Sequence, residues 1–306
     1  MTTSGSFILS FDVGGSHVSA CRCELDTLRV VQVANAPLGE VASFEGFVDT
    51  LYLLGREVRA GLGSVAGAAL AVPGPFDCAR GVSLMQHKLQ ALYGRDLRGA
   101  VAARFGLAPD RIRFLNDAAA FLLGEVSVGS ARGASRAAGL TLGTGIGSAF
   151  AQDGHALLQG DGVPPGGEVW NLPYKDGTVE DLISTRALKK DYAALTGRDL
   201  EVKEIAAAAP ADSCARQVFA TFGEHLGDVI RDVVAPFHPE LVVIGGGISR
   251  SSALFLPMAQ KRAGAGLRLV PSTLLDEAHL VGAAYFWREE CAPANGPAAI
   301  GAAAGR

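Results

Sequence analysis

The chain has 306 residues, 49% of them hydrophobic and 19% charged, with a formal net charge of −4. That length and apolar fraction suit a large buried core, more naturally two domains than one. The acidic balance, with no basic run and no basic face studded with aromatics, argues against nucleic acid as a partner. In chain order, the first element is a strand-like run at 7–11 after a few polar residues. No charged leader with a long apolar stretch precedes it, so no signal peptide is expected. No segment reaches 18 uninterrupted apolar residues, so no membrane span is expected either.

The first run belongs to a strand pair broken by glycine, FILSFDVGGSHVSACRCEL at 7–25. A helix-like stretch at 44–60, a strand at 66–72, the turn VPGPFD at 72–77 and a strand ending in IRFLND follow. Helical character resumes at Ala118 and gives way to a second glycine-broken pair, GLTLGTGIGSAFAQDG at 139–154. Aligning Gly14 with Gly145 sets Leu9, Phe11 and Val18 against Leu140, Leu142 and Ala149. A repeat this long predicts two related domains rather than a solenoid. Helices are expected near 179–195 and 215–236. PELVVIGGGISRSS at 239–252 reads as strand, triple glycine and helix start, and DEAHLVGAAYFWREE at 276–290 as the last helix. Beyond Cys291 the small residues, Gly and Pro predict a loose tail over 291–306. Strands alternating with helices indicate α/β sheets covered on both faces.

Five cysteines, at 21, 23, 78, 214 and 291, form no disulfide framework, and the odd count suits a reducing cytosol. Cys21 and Cys23, two apart on one strand, read as small buried hydrophobes, since no second Cys/His pair lies at metal spacing.

Several stretches permit chemistry. In FDVGGS, Asp12 ends a strand, and Gly14 and Gly15 let backbone N–H groups face outward as an anion nest, with the Ser16 hydroxyl beside them. A carboxylate beside an anion nest makes sense with a divalent cation, Asp12 holding Mg²⁺ directly or through water. An ordinary hairpin with a surface Asp would show the same residues. LGTGIGS offers a second turn with Thr144, and IGGGIS a strand-to-helix turn where a nucleotide could lie on bare backbone. No Walker loop occurs. In FLNDAAAFLLGE, Asn116 and Asp117 fall at the carboxyl end of a strand, where ligands bind in open α/β sheets. A carboxylate there can take a proton from a hydroxyl attacking a γ-phosphate. The same pair is also a good helix cap. GGEVWNLPYKDGTVEDLIS supplies Glu168, Asn171 and Glu180, types suited to vicinal hydroxyls, and Trp170 to stack on a sugar ring or plug the loop. His87 and Lys88 line the same cleft or sit on the surface. His238 reads as structural.

The ordered set FDVGGSHV, VPGPFD, FLNDAAAFLLGE, LTLGTGIGSAF, GGEVWNLP, GTVEDLIS, LVVIGGGISRS and DEAHLVGAAYF resembles the ROK (repressor, open reading frame, kinase) family of sugar kinases, from about residue 7 to 288. The resemblance implies the duplicated ribonuclease-H-like fold shared with actin and hexokinase, two α/β domains around a cleft that holds ATP and sugar. The small domain is expected over 1–116, with the C-terminal helix at about 281–290 packing back on it, and the large domain over 117–280. The family pattern puts Asp12, Gly14, Gly15 and Ser16 at a first phosphate turn, Thr144, Gly145 and Gly147 at a second, and Gly245, Gly246 and Gly247 near adenosine. Asp117 matches the catalytic base, Asn116 a sugar-hydroxyl ligand, and Glu168 and Glu180 two sugar-binding glutamates.

Two departures stand out. The family's Gly-His after the first glutamate reads Trp170-Asn171, which removes a histidine that contacts the sugar and often ligates zinc. The cysteine cluster that completes that zinc site is missing between Asn171 and Glu180, so no structural zinc is expected. LMQHKLQALYG also differs from the common Asn-plus-Trp sugar loop. The expectation is a cytoplasmic, dimeric, ATP- and Mg²⁺-dependent hexose kinase, glucokinase-like. Alternatives are another sugar (an N-acetylated hexosamine, mannose or fructose), polyphosphate as donor, an actin-like ATPase, or a sugar-responsive regulator. The regulator is disfavoured because residue 7 already begins the first phosphate strand, leaving no room for a DNA-binding helix-turn-helix.

Overall fold

The most continuously apolar runs become the central strands, buried on both faces as parallel strands between helices must be. The computed structural model describes residues 6–39, 43–61, 64–86 and 89–291; His87, Lys88 and the expected tail beyond Cys291 lie outside them. The first half contains β1 (Phe7–Val13), β2 (His17–Glu24), β3 (Val30–Pro37), α1 (Phe44–Val58), β4 (Ala68–Val72), the ribbon β5 (Phe76–Asp77) and β6 (Val82–Ser83), α2 (Leu97–Phe105), β7 (Ile112–Asn116) and α3 (Asp117–Val128). The second contains β8 (Arg136–Leu142), β9 (Ile146–Gln152), β10 (His155–Leu157), the hairpin β11 (Pro173–Tyr174) and β12 (Gly177–Thr178), and α4 (Val179–Leu182). It continues through α5 (Thr185–Thr196), α6 (Val202–Ala208), α7 (Ser213–Val229), β13 (Leu241–Gly245), α8 (Leu256–Ala263), β14 (Arg268–Pro271) and α9 (Ala278–Cys291).

Two five-stranded sheets share one plan. Their orders are β3-β2-β1-β4-β7 and β10-β9-β8-β13-β14, and in each the hairpin strands run antiparallel while the last two run parallel to the central strand. Aligning the halves on glycine misplaces their register. The first turn is flanked by the pair Val13–Val18 and the second by Leu142–Ile146, so Val13, not Phe11, corresponds to Leu142. The slip is two residues in the first strand, which preserves the buried face, and three in the second, where Val18 corresponds to Ile146 rather than Ala149.

The halves exchange helices. α3 leaves the first sheet and packs on β8 and β9, burying Ala118, Phe121 and Leu122 with Ala137, Ala149 and Val243. α9 leaves the second sheet and packs on β1, β2 and β4, burying Leu280, Ala284 and Trp287 with Ile8, Cys21, Cys23 and Ala71. Every residue of α3 from Ala118 to Glu125 is buried, so this helix is apolar all round rather than striped. The two helices cross in backbone contact: a methyl built on Gly124 would fall on the Ala278 carbonyl, and one on Gly282 on the Ala120 carbonyl.

Beside the crossing, buried Glu125 gathers the loop that leads into α9. It accepts from Ser272 Oγ (2.5 Å), Leu274 N (3.0 Å) and Ser130 N (2.6 Å). Cys21 and Cys23 are fully buried, and burial pushes the Cys23 thiol up to about 12.

Several expectations are corrected in detail. The helix expected over 179–195 is two, α4 and α5, because Ser184 turns the chain and caps α5 by accepting from Ala187 N. The last helix begins at Ala278 and carries through Cys291, which therefore belongs to α9 rather than to the tail. β3, β10, β14, α2, α6 and α8 had no sequence expectation. Among the described residues no helix is long and apolar enough to cross a membrane.

Candidate active site

β1, β4 and β7 are parallel, with Asp12 level with Ala71 and Val72 level with Asn116. Asp12, the turn after Val72 and the Asn116-Asp117 pair therefore emerge at one edge of the first sheet, the carboxyl edge where α/β sheets bind ligands. Capping takes one end of the Asn116 side chain. The Asn116 side-chain carbonyl accepts from Ala119 N (3.1 Å) and caps α3, while its amide nitrogen looks toward Gly74 across 4.0 Å to a methyl built there. Asp117 Oδ1 accepts from Ala118 N (2.8 Å), and the Asp117 side chain is half-buried at the first residue of α3.

The glycines separate into two kinds. In the first turn the Gly14 N–H donates to the His17 carbonyl (2.9 Å), so it closes the turn and does not face outward. Among the described residues the Gly15 and Ser16 amides take no backbone partner, and a methyl on Gly15 would meet nothing within 4 Å. In the second turn, methyls on Gly145 and Gly147 would strike the Glu180 carboxylate and the Thr141 hydroxyl. These two glycines admit protein groups, and Thr144 beside them is exposed. In the third, Gly245 abuts the Phe121 ring and Gly246, at φ +80°, the Leu142 backbone; only Gly247 faces open space.

The glutamates part company. Ser148 Oγ donates to the Gly167 carbonyl (2.6 Å) and accepts from Val169 N (3.1 Å), fixing the loop that presents Glu168. Glu168 Oε2 accepts from the Trp170 indole (3.0 Å), and Trp170, 44% exposed, stands beside the carboxylate instead of plugging the loop. Asn171 next to it is exposed. Glu180 instead reaches the second glycine turn, its Oε2 accepting from Ile146 N (3.2 Å).

Between the two glutamates lies the β11–β12 hairpin. Lys175 Nζ lies 2.8 Å from His225 Nδ1 on α7, and the Tyr174 ring meets the imidazole edge to face at 5.9 Å. Among the described residues no three His, Cys, Asp or Glu gather as a metal group. Burial, and then the Lys175 charge, lower the His225 pKa from its ordinary 6.5, against the opposing pull of Asp191, Asp228 and Glu224. The unfolded chain then accepts a proton that the folded chain resists. This contribution to stability is complete above about pH 6.5 and is lost as pH falls toward the folded value. Melting curves between pH 7.5 and 5.5 are expected to show a falling midpoint for the wild type and a flatter course for His225→Gln.

One residue had a quoted motif but no assigned role. His279, in the first turn of α9, sits with Nδ1 at 3.9 Å from Asp12 Oδ2 and its ring 5.7 Å from that of Phe121. The contact joins Asp12 on the first sheet to Phe121 and, through it, to Gly245 on the second. Nothing local in DEAHLVGAAYF reveals it, since it arises from the helix exchange.

As for a cation, Mg²⁺ keeps several waters and takes one or two carboxylates together with phosphate oxygens. A single half-buried carboxylate, Asp12, beside open amides fits that donor set.

The family model for the ROK family matches residues 8–290. Among curated relatives, the glucokinase of Thermotoga maritima is 30% identical over 254 residues, covering 71% of this chain and 77% of that protein. The N-acetyl-D-glucosamine kinase of Photobacterium profundum is 27% identical over 82% of this chain and 87% of its own. Among solved structures, a ROK family glucokinase from Streptomyces griseus, in complex with glucose and AMPPNP, aligns over 93% of this chain and all of that one, with a TM-score of 0.77 at 22% identity. The mixed-sheet α/β architecture, the glycine turns in their order and the family match over nearly the whole length lead to one assignment: this chain belongs to the ROK family.

Proposed function

We propose that the protein is an ATP-dependent sugar kinase that phosphorylates a hexose hydroxyl, with glucose as the preferred acceptor. One observation carries the reading: Asn116 and Asp117 share a sheet edge with Asp12, and the helix they open runs directly under both glycine turns of the other sheet. On this reading the duplicated plan is a ribonuclease-H-like fold, its halves dividing near residue 116, with α9 returning to the first. The molecule works as a cytoplasmic homodimer.

Asp117 accepts the hydroxyl proton as the sugar oxygen attacks the γ-phosphorus. The bond from that phosphorus to the β-phosphate oxygen breaks, leaving sugar phosphate and ADP. The Asn116 amide, Glu168, Asn171 and Glu180 hold the other hydroxyls, each with fixed donor or acceptor geometry. The Gly15 and Ser16 amides and the Thr144–Gly145 turn hold phosphate oxygens, while Gly247 offers bare backbone to the adenosine. Asp12 would hold Mg²⁺, which would supply charge neutralisation at the phosphates. Closure around the substrates excludes water that would otherwise hydrolyse ATP.

The position of Glu180 yields a further expectation. Gly145→Ala would push the Glu180 carboxylate off the turn, and an ångström-scale misplacement costs on the order of a hundredfold in kcat/KM. Steady-state kinetics should place most of that loss on the sugar, with the melting midpoint little changed.

A coupled assay of ADP release across glucose, mannose, fructose and N-acetylglucosamine tests the function. Strong stimulation by sugar, greatest with glucose, is expected; turnover indifferent to every sugar would overturn it. Asn171, an exposed amide beside Glu168, favours an N-acetylated hexosamine as the second reading, and the same panel decides between them.

A further inference from the structure

The Asp12–His279 pair is incomplete as it stands. His279 Nδ1 is buried and makes no hydrogen bond among the described residues, and at 3.9 Å from Asp12 Oδ2 it falls short of one. Both side chains are largely enclosed, 20% and 17% exposed, so water has limited access to supply the missing partner. A buried polar group left without a partner is unfavourable. A nitrogen–oxygen separation of about 2.9 Å would complete the bond, so the two groups need approach by only about 1 Å.

Asp12 is the penultimate residue of β1. His279 lies on α9, which packs on that strand, and it is braced from the other side: Phe121 of α3 stands against its ring, and Glu125 of α3 fastens Ser272 and Leu274 in the segment just before it. Asp117 opens α3. With both groups on one packed unit, a small adjustment of the two side chains closes the 3.9 Å gap.

We infer that His279 is a positioning residue for Asp12: with nucleotide bound, its Nδ1–H donates to Asp12 Oδ2, which leaves the other carboxylate oxygen turned toward the phosphates and the water shell of their cation. The inference rests on the kinase reading. A carboxylate fixed by a hydrogen bond on one oxygen presents the other without rotational loss. Outer partners of this kind are typically worth 10- to 100-fold in metal affinity.

The test uses three variants of the full chain. The side-chain nitrogen of asparagine can occupy the place of Nδ1, that of glutamine the place of Nε2, and alanine supplies neither. Binding of AMPPNP is measured by calorimetry with Mg²⁺ and again with EDTA, beside KM for Mg-ATP and for sugar. His279→Ala and His279→Gln are expected to weaken AMPPNP binding about 10- to 100-fold with Mg²⁺ present and to leave binding in EDTA unchanged. His279→Asn should restore wild-type affinity, and sugar KM should stay constant throughout. Wild-type affinity in the alanine variant, equal behaviour of Asn and Gln, or an equal loss in EDTA overturns the inference. Should the alanine variant fail to fold, the Asn and Gln pair decides alone. A wild type that phosphorylates sugars while the variants fail to separate removes only this inference; a wild type that binds no nucleotide removes the kinase reading and this one together.

Discussion

Asp117→Ala is expected to lower sugar-dependent ADP release by about a hundredfold to ten-thousandfold, the span typical of a positioned general base. The loss should fall on kcat, with AMPPNP binding retained in calorimetry, because the nucleotide contacts proposed above lie on other residues. The fold should survive the change. The α3 cap belongs to Asn116, whose bond to Ala119 N remains when the Asp117 Oδ1 bond to Ala118 N is lost. Asp117→Asn separates the two properties of the residue. Its side-chain oxygen still accepts from Ala118 N, yet it has no basic oxygen for the proton, so it should be as inactive as the alanine variant. Near-full activity in either would remove Asp117 from the chemistry.

The largest expected effect on stability comes from a methyl group. At the α3–α9 crossing Gly282 faces the Ala120 carbonyl and the Gly124 amide, backbone atoms that cannot rotate away as a flexible side chain would. Gly282→Ala forces the helices apart, and overpacking of this kind costs about 1–3 kcal/mol or more. The gain in helix propensity from Gly to Ala, about 1 kcal/mol, works in the opposite direction and does not offset a backbone collision. Urea unfolding should show a midpoint well below wild type with an unchanged slope. Activity should fall beyond what the lost stability explains, since α3 begins at Asp117 and α9 carries His279 near its start. A midpoint at or above wild type would mean that the helices separate without penalty.

What the sequence discloses follows from the range of each interaction. The central strands, both hairpins and the Asn116-Asp117 pair are legible because their signals are local: apolar runs, glycine at turns, a cap at a strand end. The paired architecture is legible from the repeated hairpin, although the register is not, since turn length and not glycine position sets it. The short edge strands and α6 carry weak local patterns and escape notice. At the site, the residue types are visible and their neighbours are not. Gly145 looks like backbone bared for a ligand, yet it admits Glu180, a residue from a distant loop. His279 gains meaning only once α9 crosses to the opposite sheet, and no window of sequence contains that crossing.

The exchange of helices has a consequence for any attempt to divide the molecule. A fragment ending at Asn116 would keep its five strands but lose α9, baring Ile8, Cys21, Ala69 and Ala71; the remaining fragment would lack the sheet face on which α9 rests. Neither piece is expected to be stable in isolation, though the two co-expressed should reassemble. The two halves are thus alike in design and not self-sufficient.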